Sequence, residues 1–355
     1  MITRCPAPWQ VELSKGFRDP RKMLATLGLT AEPGQGLAQC SRKRPFDLAR
    51  SGQRASNAGA TSFPLLAPRG YVARMEKGNP QDPLLRQVLP SAAEDIVSPG
   101  YTQDPLEERH ALRASGVLQK YSGRVLLMVT SACAIHCRYC FRRHFPQGNQ
   151  TANKDPHGQT KRDFHPALAG IRKDRSIREV ILSGGDPLCL PDERLAALAT
   201  ELANIPHVER LRIHTRLPVV LPARVNDTLL DWLAKPTPHR VLVIHANHPN
   251  EIDHEVTNAL ALLRMAGVTL LNQSVLLRGV NDHEDTLATL SERLFAAGVL
   301  PYYLHMLDPV QGAAHFAVEE QRAKEIVTGL RTRLPGYLVP RPVREIAGAG
   351  YKIPV

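Results

Sequence analysis

Apolar runs separated by amphipathic stretches organise the chain from Arg124 onward. Six runs have the length and composition of buried strands, and they begin near Arg124, Glu179, Arg210, Arg240, Val268 and Leu300. After the first gap the runs begin about 30 residues apart, which is the length of one strand–helix unit. Stretches between them, such as residues 192–204 and 253–266, carry apolar residues at helical spacing. This regular alternation of strands and helices predicts a parallel sheet.

The order of elements predicts an α/β fold built as a partial (β/α)6 barrel, similar to a TIM barrel but incomplete. The predicted strands end in polar side chains, namely Ser131, Ser183, His214, His245, Gln273 with Ser274, and His305. In parallel barrels the functional face is the C-terminal edge of the strands. We therefore expect these side chains to surround one shared site.

The part of the chain before the barrel has a different character. Residues 30–64 are rich in Gly, Ser, Ala, Pro and Gln, which is typical of a mobile linker. Residues 68–115 contain short helical patterns broken by prolines. The predicted organisation is a poorly ordered or variable segment at 1–65, a helical lead-in at 66–118, a core barrel at 119–330 and a short C-terminal segment at 331–355.

The composition limits the class of protein and its expected location in the cell. The hydrophobic fraction is 43% and no apolar run is long enough to cross a membrane, so we expect a globular protein with no membrane span. The N-terminal stretch lacks the apolar region of a secretory signal, which predicts a cytoplasmic location. The net charge of +11 is interpreted as a solvated basic surface, because aromatic residues make up only 5% and no basic–aromatic nucleic-acid motif is present.

A cluster of three cysteines directly follows the first predicted strand. Cys133, Cys137 and Cys140 have the spacing CxxxCxxC, and the three other cysteines are scattered. A structural zinc site needs four protein ligands, whereas a four-iron cluster bound by three thiolates leaves one iron open. His136 is a candidate fourth zinc ligand, but as the neighbour of Cys137 it would have to fold back sharply. We predict a [4Fe-4S] site, with zinc and plain core cysteines as alternatives.

This cysteine spacing and a glycine-rich segment after the second strand resemble the radical S-adenosylmethionine superfamily. The resemblance implies that the three cysteines bind a [4Fe-4S] cluster whose fourth iron binds the amino and carboxylate groups of S-adenosylmethionine. It also implies that the segment Ser183, Gly184, Gly185 and Asp186 meets the methionine amino group, and that the barrel is of the radical S-adenosylmethionine type. Glycines allow the backbone to approach a ligand closely, although outside this context the segment could be a simple turn. Cys189, two residues beyond Pro187, is expected to be a small buried filler.

The resemblance is closer still to lysine 2,3-aminomutases, and it covers about residues 70–355. It lies in CRYCFRRHFP (137–146), ILSGGDPL (181–188), LRIHTRLPVV (211–220), NQSVLLRGVND (272–282), PYYLHMLDPVQGAAHF (301–316) and GYLVPRPVREI (336–346). It implies an isomerase that moves the α-amino group of L-lysine to the β-carbon. Residues 74–90 and 104–108 look like the branch that makes β-lysine for modifying elongation factor P.

Lysine 2,3-aminomutases also use pyridoxal 5′-phosphate, held by a lysine. The matching residue is Lys352, although Tyr351 interrupts the glycine-rich run that precedes this lysine in the family, and an exposed terminal lysine is the alternative. An amine on a flexible stem suits imine exchange with an incoming amino acid. The resemblance further implies that Lys120 and Arg124 face the cofactor phosphate. Arg216, His245 and Gln273 are implied to lie near S-adenosylmethionine, with satisfied core polar groups as the alternative.

A lysine substrate needs partners at both ends. Arg142 matches the arginine expected to bind the substrate carboxylate, for which its planar fork is suited. Asp308 matches one aspartate for the distal ammonium group, and Glu345 stands where the family has the second aspartate. The alternatives are a solvated Arg142, a turn residue at Asp308 and a surface carboxylate at Glu345.

The resemblance also implies partners outside the site. These are an external electron donor such as flavodoxin or ferredoxin, and a functional link to elongation factor P and its lysyl-transferase. Two other classes of function remain open from the sequence. One is a radical aminomutase acting on another amino acid, and the other is a non-catalytic iron–sulfur or RNA-associated protein.

Overall fold

The computed structural model describes residues 7–30, 63–113, 116–144, 163–235 and 238–355. These residues form one sheet of nine strands, arranged side by side in the order of the sequence. The strands are β1 Val117–Tyr121, β2 Arg124–Thr130, β3 Glu179–Gly184, β4 Arg210–Thr215, β5 His239–Ile244, β6 Thr269–Val275, β7 Leu300–His305, β8 Arg341–Arg344 and β9 Ile353–Pro354.

The sheet is parallel from β2 to β8, and its two edge strands run the other way. β1 pairs antiparallel with β2, and β9 pairs antiparallel with β8. Side chains of β1 contact the residues between β8 and β9, so the sheet curls into an incomplete barrel. We call the meeting line of β1 with residues 345–352 the seam, because side chains rather than paired strands join the two edges there.

The predicted α/β fold and partial barrel are confirmed. The six predicted strands correspond to β2–β7. Each contains at least one buried apolar residue, and β2, β3 and β5 are buried along most of their length. The strands that the pattern missed lie at or next to the edges. β1 (VLQKY) carries polar residues and β8 (RPVR) is a four-residue strand that contains a proline, so neither has the apolar run of a buried strand.

Helices connect each parallel strand of the sheet to the next, and further short helices precede the first strand in the described residues. They are α1 Pro8–Ser14, α2 Pro20–Thr26, α3 Arg69–Ala73, α4 Pro83–Arg86, α5 Glu108–Ala111, α6 His165–Lys173, α7 Asp192–Ala203, α8 Leu217–Val220, α9 Asp227–Leu233, α10 His254–Met265, α11 Glu284–Ala296 and α12 Glu320–Arg333. The two helices predicted at 192–204 and 253–266 are α7 and α10. In α11, Leu287, Leu290 and Leu294 are buried at helical spacing, as an amphipathic helix on a sheet requires. None of the helices within the described ranges has the length and apolar character needed to cross a membrane.

The N-terminal segment differs from the expectation of a poorly ordered or variable region at 1–65. Residues 7–30 form α1 and α2, and Trp9, Met23 and Leu24 are buried against the barrel. Each helix has only seven residues, which is too short for a clear apolar period in the sequence. The predicted linker at 30–64 falls mainly on residues 31–62, which lie outside the described residues.

The lead-in holds the cysteine loop in place. The Arg138 side chain is fully buried, and its guanidinium forms a two-point ion pair with Glu94, with Nε 2.7 Å from Oε1. Its Nη1 also donates to the carbonyl of Phe63 at 2.9 Å. Breaking a buried ion pair by removing one partner costs about 3–5 kcal/mol. The lead-in is therefore part of the scaffold of the site and not a loose wrapping.

Candidate active site

The cysteine loop and the glycine segment pack against each other at the C-terminal edge of β2 and β3. Gly184 has φ +118, and a Cβ at Gly185 would lie 2.3 Å from the carbonyl oxygen of Ala132. Only glycine tolerates so close an approach of two backbones. The two glycines therefore set the distance between the loops. Whether they also approach a ligand, as predicted, stays a prediction.

The three cysteines of the loop fit an iron–sulfur cluster by their chemistry. Cys133, Cys137 and Cys140 are partly buried thiols, and burial raises the pKa of Cys133 well above its usual range and that of Cys140 to about 11. Among the described residues, no three His, Cys, Asp or Glu side chains converge as ligands of a single metal ion would. A four-iron cluster instead needs thiolates that do not converge on one point, because each thiolate binds a different iron.

His136 is not arranged as a fourth ligand. Its Nδ1 lies 2.8 Å from the carbonyl oxygen of Pro64, and its ring stacks on Phe63 with centroids 4.8 Å apart. Both contacts hold the imidazole against the lead-in. The arrangement does not support the zinc alternative built on His136.

The carboxylate of Asp186 binds the end of β4. Its Oδ1 accepts hydrogen bonds from Thr215 Oγ1 at 2.6 Å and Leu188 N at 3.1 Å. Its Oδ2 accepts from the backbone nitrogens of Arg216 at 2.7 Å and Leu217 at 3.2 Å. Asp186 therefore acts inside the protein as the brace that positions Arg216. Its predicted contact with the methionine amino group stays a prediction.

Two of the residues predicted near S-adenosylmethionine lie beside the cysteine loop. Arg216 Nη1 is 2.8 Å from the sulfur of Cys137. His245 Nε2 is 2.9 Å from the hydroxyl of Tyr139, and burial, with the nearby Arg216, lowers the pKa of His245 to about 3. Gln273 is partly buried on β6, at the same edge of the sheet. These positions agree with a shared site, and the contact with S-adenosylmethionine stays a prediction.

A chain of alternating charges runs from the cysteine loop to the seam. Glu108 Oε2 and Oε1 accept from Arg142 Nε at 2.6 Å and Nη2 at 2.8 Å. Lys120 Nζ lies 3.0 Å from Glu108 Oε1 and 2.8 Å from Glu345 Oε1. Glu345 also pairs with the ammonium of Lys352. The structure thus connects the predicted substrate arginine with the predicted cofactor lysine through two carboxylates.

Glu108 is the member of this chain that sequence reasoning missed. It is 1% exposed, and the cations of Arg142 and Lys120 hold its pKa below the usual range against the opposing effect of burial. In the sequence it is one of two consecutive glutamates, a pattern typical of a solvated helix end. Only the resemblance of residues 104–108 to the family indicated that this segment belongs to a functional region.

Glu345 has a different neighbourhood from the one predicted. We expected it to bind the distal ammonium of the substrate, and in the structure its carboxylate pairs with Lys120 and Lys352. Burial opposes this, yet the two ammonium groups outweigh burial and lower the pKa of Glu345 to about 2. Its role toward a substrate stays a prediction.

A cavity of about 260 Å³ opens at the seam, lined by Lys120, Tyr121, Glu345 and residues 346–349. Arg124 begins β2, and its guanidinium lies over the ring of Tyr121 at 4.6 Å. The Nε of Arg124 is buried with no hydrogen-bond partner in the described part of the chain. A buried donor without a partner can bind an anion, but Arg124 does not line this cavity, where Lys120 is the lysine. That Lys120 and Arg124 face a cofactor phosphate stays a prediction.

Asp308 follows β7 and lies near the same charges. Burial and the carboxylate of Glu345 raise its pKa to about 7. The side chain is therefore largely protonated below that pH and ionised above it. An incoming ammonium group would favour the ionised form, so Asp308 is suited to bind the distal end of a basic substrate.

Asp308→Asn should stabilise the ligand-free protein more at pH 8 than at pH 5. The folded-state pKa lies above the unfolded value, so the folded protein holds this proton longer, and stability is lost as the pH rises toward 7. Asparagine removes that loss. The measurement is the melting temperature of both proteins at both pH values. Asp231→Asn, at an exposed position on α9, should show the same difference at both pH values. Equal effects of the two substitutions would contradict the prediction.

Comparison with known proteins gives the class and then the family. Residues 127–290 match the sequence model of the Radical SAM superfamily, which agrees with the barrel and the cysteine loop. The chain is 47% identical to the L-lysine 2,3-aminomutase of Escherichia coli strain K12 over 98% of its length and 94% of that protein. It is 35% identical to the L-lysine 2,3-aminomutase of Clostridium subterminale over 98% of its length and 77% of that protein. The chain therefore belongs to the L-lysine 2,3-aminomutase family, within the radical S-adenosylmethionine enzymes.

A solved structure gives a more distant match. A radical SAM methyltransferase from Sphaerobacter thermophilus aligns with a TM-score of 0.44 at 17% identity, over 64% of this chain and 68% of that one.

Proposed function

We propose that this protein is an L-lysine 2,3-aminomutase, which converts L-α-lysine to β-lysine. The observation that carries the proposal is the charge chain from Arg142 to Lys352. It links Arg142, which follows the cysteine loop, to Lys352 of the C-terminal segment through ion pairs, and it supports the roles proposed for both residues. The family membership supports the same reaction.

The cofactors, rather than the protein side chains, would supply the radical chemistry of the reaction. The cluster with S-adenosylmethionine would supply radical chemistry, and pyridoxal 5′-phosphate would supply a π system that stabilises a radical beside the amino group. Cys133, Cys137 and Cys140 would hold the cluster. Lys352 would hold pyridoxal phosphate covalently, with Lys120 and Arg124 facing its phosphate.

The side chains of the protein position the substrate. Glu108 accepts hydrogen bonds from Nε and Nη2 of Arg142, and Nη1 of Arg142 donates to Ser183 Oγ at 3.1 Å. The guanidinium is therefore fixed before a substrate carboxylate arrives. Orientation of this kind removes much of the entropic barrier to reaction. Asp308 would receive the distal ammonium at the other end of the substrate.

Conversion of L-lysine tests the proposal directly. Anaerobically reconstituted protein with S-adenosylmethionine, pyridoxal 5′-phosphate and dithionite should produce β-lysine, read by chromatography of derivatised amino acids. Screening of other amino acids in parallel tests the specificity. Protein with a full cluster and full cofactor that leaves lysine unchanged would refute the proposal.

Glu108→Gln should lower kcat/KM for lysine on the order of 10- to 100-fold, the cost of losing charge-assisted hydrogen bonds of about 1.5–3 kcal/mol. The physical reason is that a neutral amide no longer holds Arg142 and Lys120 together. KM should carry most of the change, measured in steady-state assays. Glu209→Gln is the matched control, because Glu209 also pairs with two arginines but at the exposed surface. A loss of equal size in both variants would contradict the assignment.

We further propose that the β-lysine is used to modify elongation factor P through a lysyl-transferase. The resemblance of residues 74–90 and 104–108 to that branch supports this link. The test is transfer of product from a coupled reaction onto purified elongation factor P, read by mass spectrometry. The electron donor would be a small redox protein such as flavodoxin or ferredoxin, which replaces dithionite in the same assay.

A further inference from the structure

Arg216 makes a fixed contact with one cysteine of the loop. Its backbone nitrogen is held by Asp186 at the end of β4, as described above. Its Nη1 lies 2.8 Å from the sulfur of Cys137, and its Nη2 donates to Glu251 Oε2 and Gln87 Oε1, both at 2.8 Å. The guanidinium is therefore fixed at both ends and cannot swing away from the sulfur.

The partners of Arg216 are themselves buried and bonded. Glu251 and Gln87 are both 0% exposed. Glu251 Oε1 also accepts from the backbone nitrogens of Asn247 at 2.9 Å and His248 at 3.1 Å. The rings of Tyr71 and Tyr139 lie 5.4 and 5.9 Å from the Arg216 guanidinium carbon. The charge beside the sulfur is thus enclosed and poorly screened by solvent.

The positive and negative groups of this network have opposite effects on a cluster bound at Cys137. The guanidinium lies next to Cys137, and the Glu251 carboxylate lies on its far side. A cluster gains negative charge when it is reduced, and hydrogen bonds to its sulfurs and nearby positive charge stabilise that state. The effect is stronger where the effective dielectric constant is low. Glu251, which is bound to the other terminal nitrogen of the guanidinium, carries the opposite charge and opposes this effect.

We infer that Arg216 sets the reduction potential of the iron–sulfur cluster through Cys137, and that Glu251 limits the size of its effect. Arg216 makes the cluster easier to reduce, and Glu251 makes it harder. The inference deepens the proposed function at its electron-entry step. It depends on the cluster that the family implies and does not depend on the identity of the amino acid substrate.

The test is a redox titration of the cluster followed by electron paramagnetic resonance, with the reconstituted protein free of lysine and pyridoxal phosphate. In Arg216→Lys the shorter ammonium cannot reach the sulfur and the carboxylate together, so the contact with Cys137 should be lost. At a fixed potential we expect about tenfold less reduced cluster, equivalent to 59 mV for a one-electron couple. Glu251→Gln should shift the potential in the opposite direction, because it removes the opposing charge and keeps Arg216.

Opposite shifts distinguish tuning from general damage to the fold. Arg224→Lys is the matched control, because Arg224 is fully buried and paired with Asp192 at 2.7 Å, and its guanidinium partners are oxygen atoms in the described residues. Its potential should equal that of the unmodified protein. An unchanged potential in Arg216→Lys, or shifts of the same sign in both variants, would overturn the inference. If Arg216→Lys does not retain the cluster, the direction of the Glu251→Gln shift decides alone. The readout does not use lysine, so a failed lysine assay leaves it intact.

Discussion

Lys352→Arg should abolish β-lysine formation, lowering the rate at least about 10³-fold. Arginine keeps a positive charge for the ion pair with Glu345 across the seam, but its guanidinium does not form the covalent link that an amine makes with an aldehyde cofactor. The loss should therefore occur in a protein that still folds and still holds its cluster. Lys352→Ala should give the same loss of activity and, in addition, weaken the seam.

The location of the cofactor can be measured separately from activity. Borohydride reduction should fix pyridoxal phosphate on a peptide that contains Lys352, read by mass spectrometry, and no such peptide should appear in Lys352→Arg. Lys324→Ala, which removes an exposed ammonium paired with Glu320 on α12, should keep both activity and labelling. Labelled cofactor on another lysine in the Lys352→Arg protein would contradict the assignment.

Cys133→Ala should remove the cluster and with it all detectable rearrangement, again a loss of at least about 10³-fold. Three thiolates are the protein's whole contribution to the predicted cluster, so two cannot retain it in the same form. Iron content and the visible absorbance of the reconstituted protein give the measurement. The result should be accompanied by an unchanged far-ultraviolet circular dichroism spectrum.

Cys189→Ala is the matched control for this prediction. Cys189 is buried close to the cysteine loop, where its charge would contribute to raising the pKa of Cys133, but it lies outside the CxxxCxxC spacing. The variant should retain iron and activity. A cluster that survives in Cys133→Ala and disappears in Cys189→Ala would show that the wrong cysteine had been assigned.

The sequence was sufficient to predict the central strands of the barrel and the polar residues at the C-terminal ends of those strands. β2, β3 and β5 are apolar and buried over most of their length, and this gives them a simple signal in the sequence. Their polar ends indicate which edge of the sheet carries the candidate site. Lys120, Arg142 and Lys352 lie in one charge chain that the sequence could indicate only through family resemblance.

The burial of charged residues could not be predicted from sequence patterns. Glu108 and Glu251 are nearly or fully buried, but a glutamate is usually exposed and nothing in its neighbouring residues indicates otherwise. Their burial depends on cations that come from elsewhere in the chain. Lys120 and Glu345, for example, are 225 residues apart in the sequence. Such pairs exist only once the fold has formed, so local patterns carry no trace of them.

If pyridoxal phosphate binds as proposed, ion pairing across the seam and cofactor binding are linked thermodynamically. The phosphate of an entering cofactor would compete with the carboxylate of Glu345 for the ammonium of Lys120, and the cofactor aldehyde would compete with the same carboxylate for the amine of Lys352. Under this proposal, a change that tightens the ion pairs across the seam lowers the affinity for the cofactor, and bound cofactor in turn weakens those ion pairs. Glu345 would then act as an internal competitor that raises the concentration at which the cofactor fills the site.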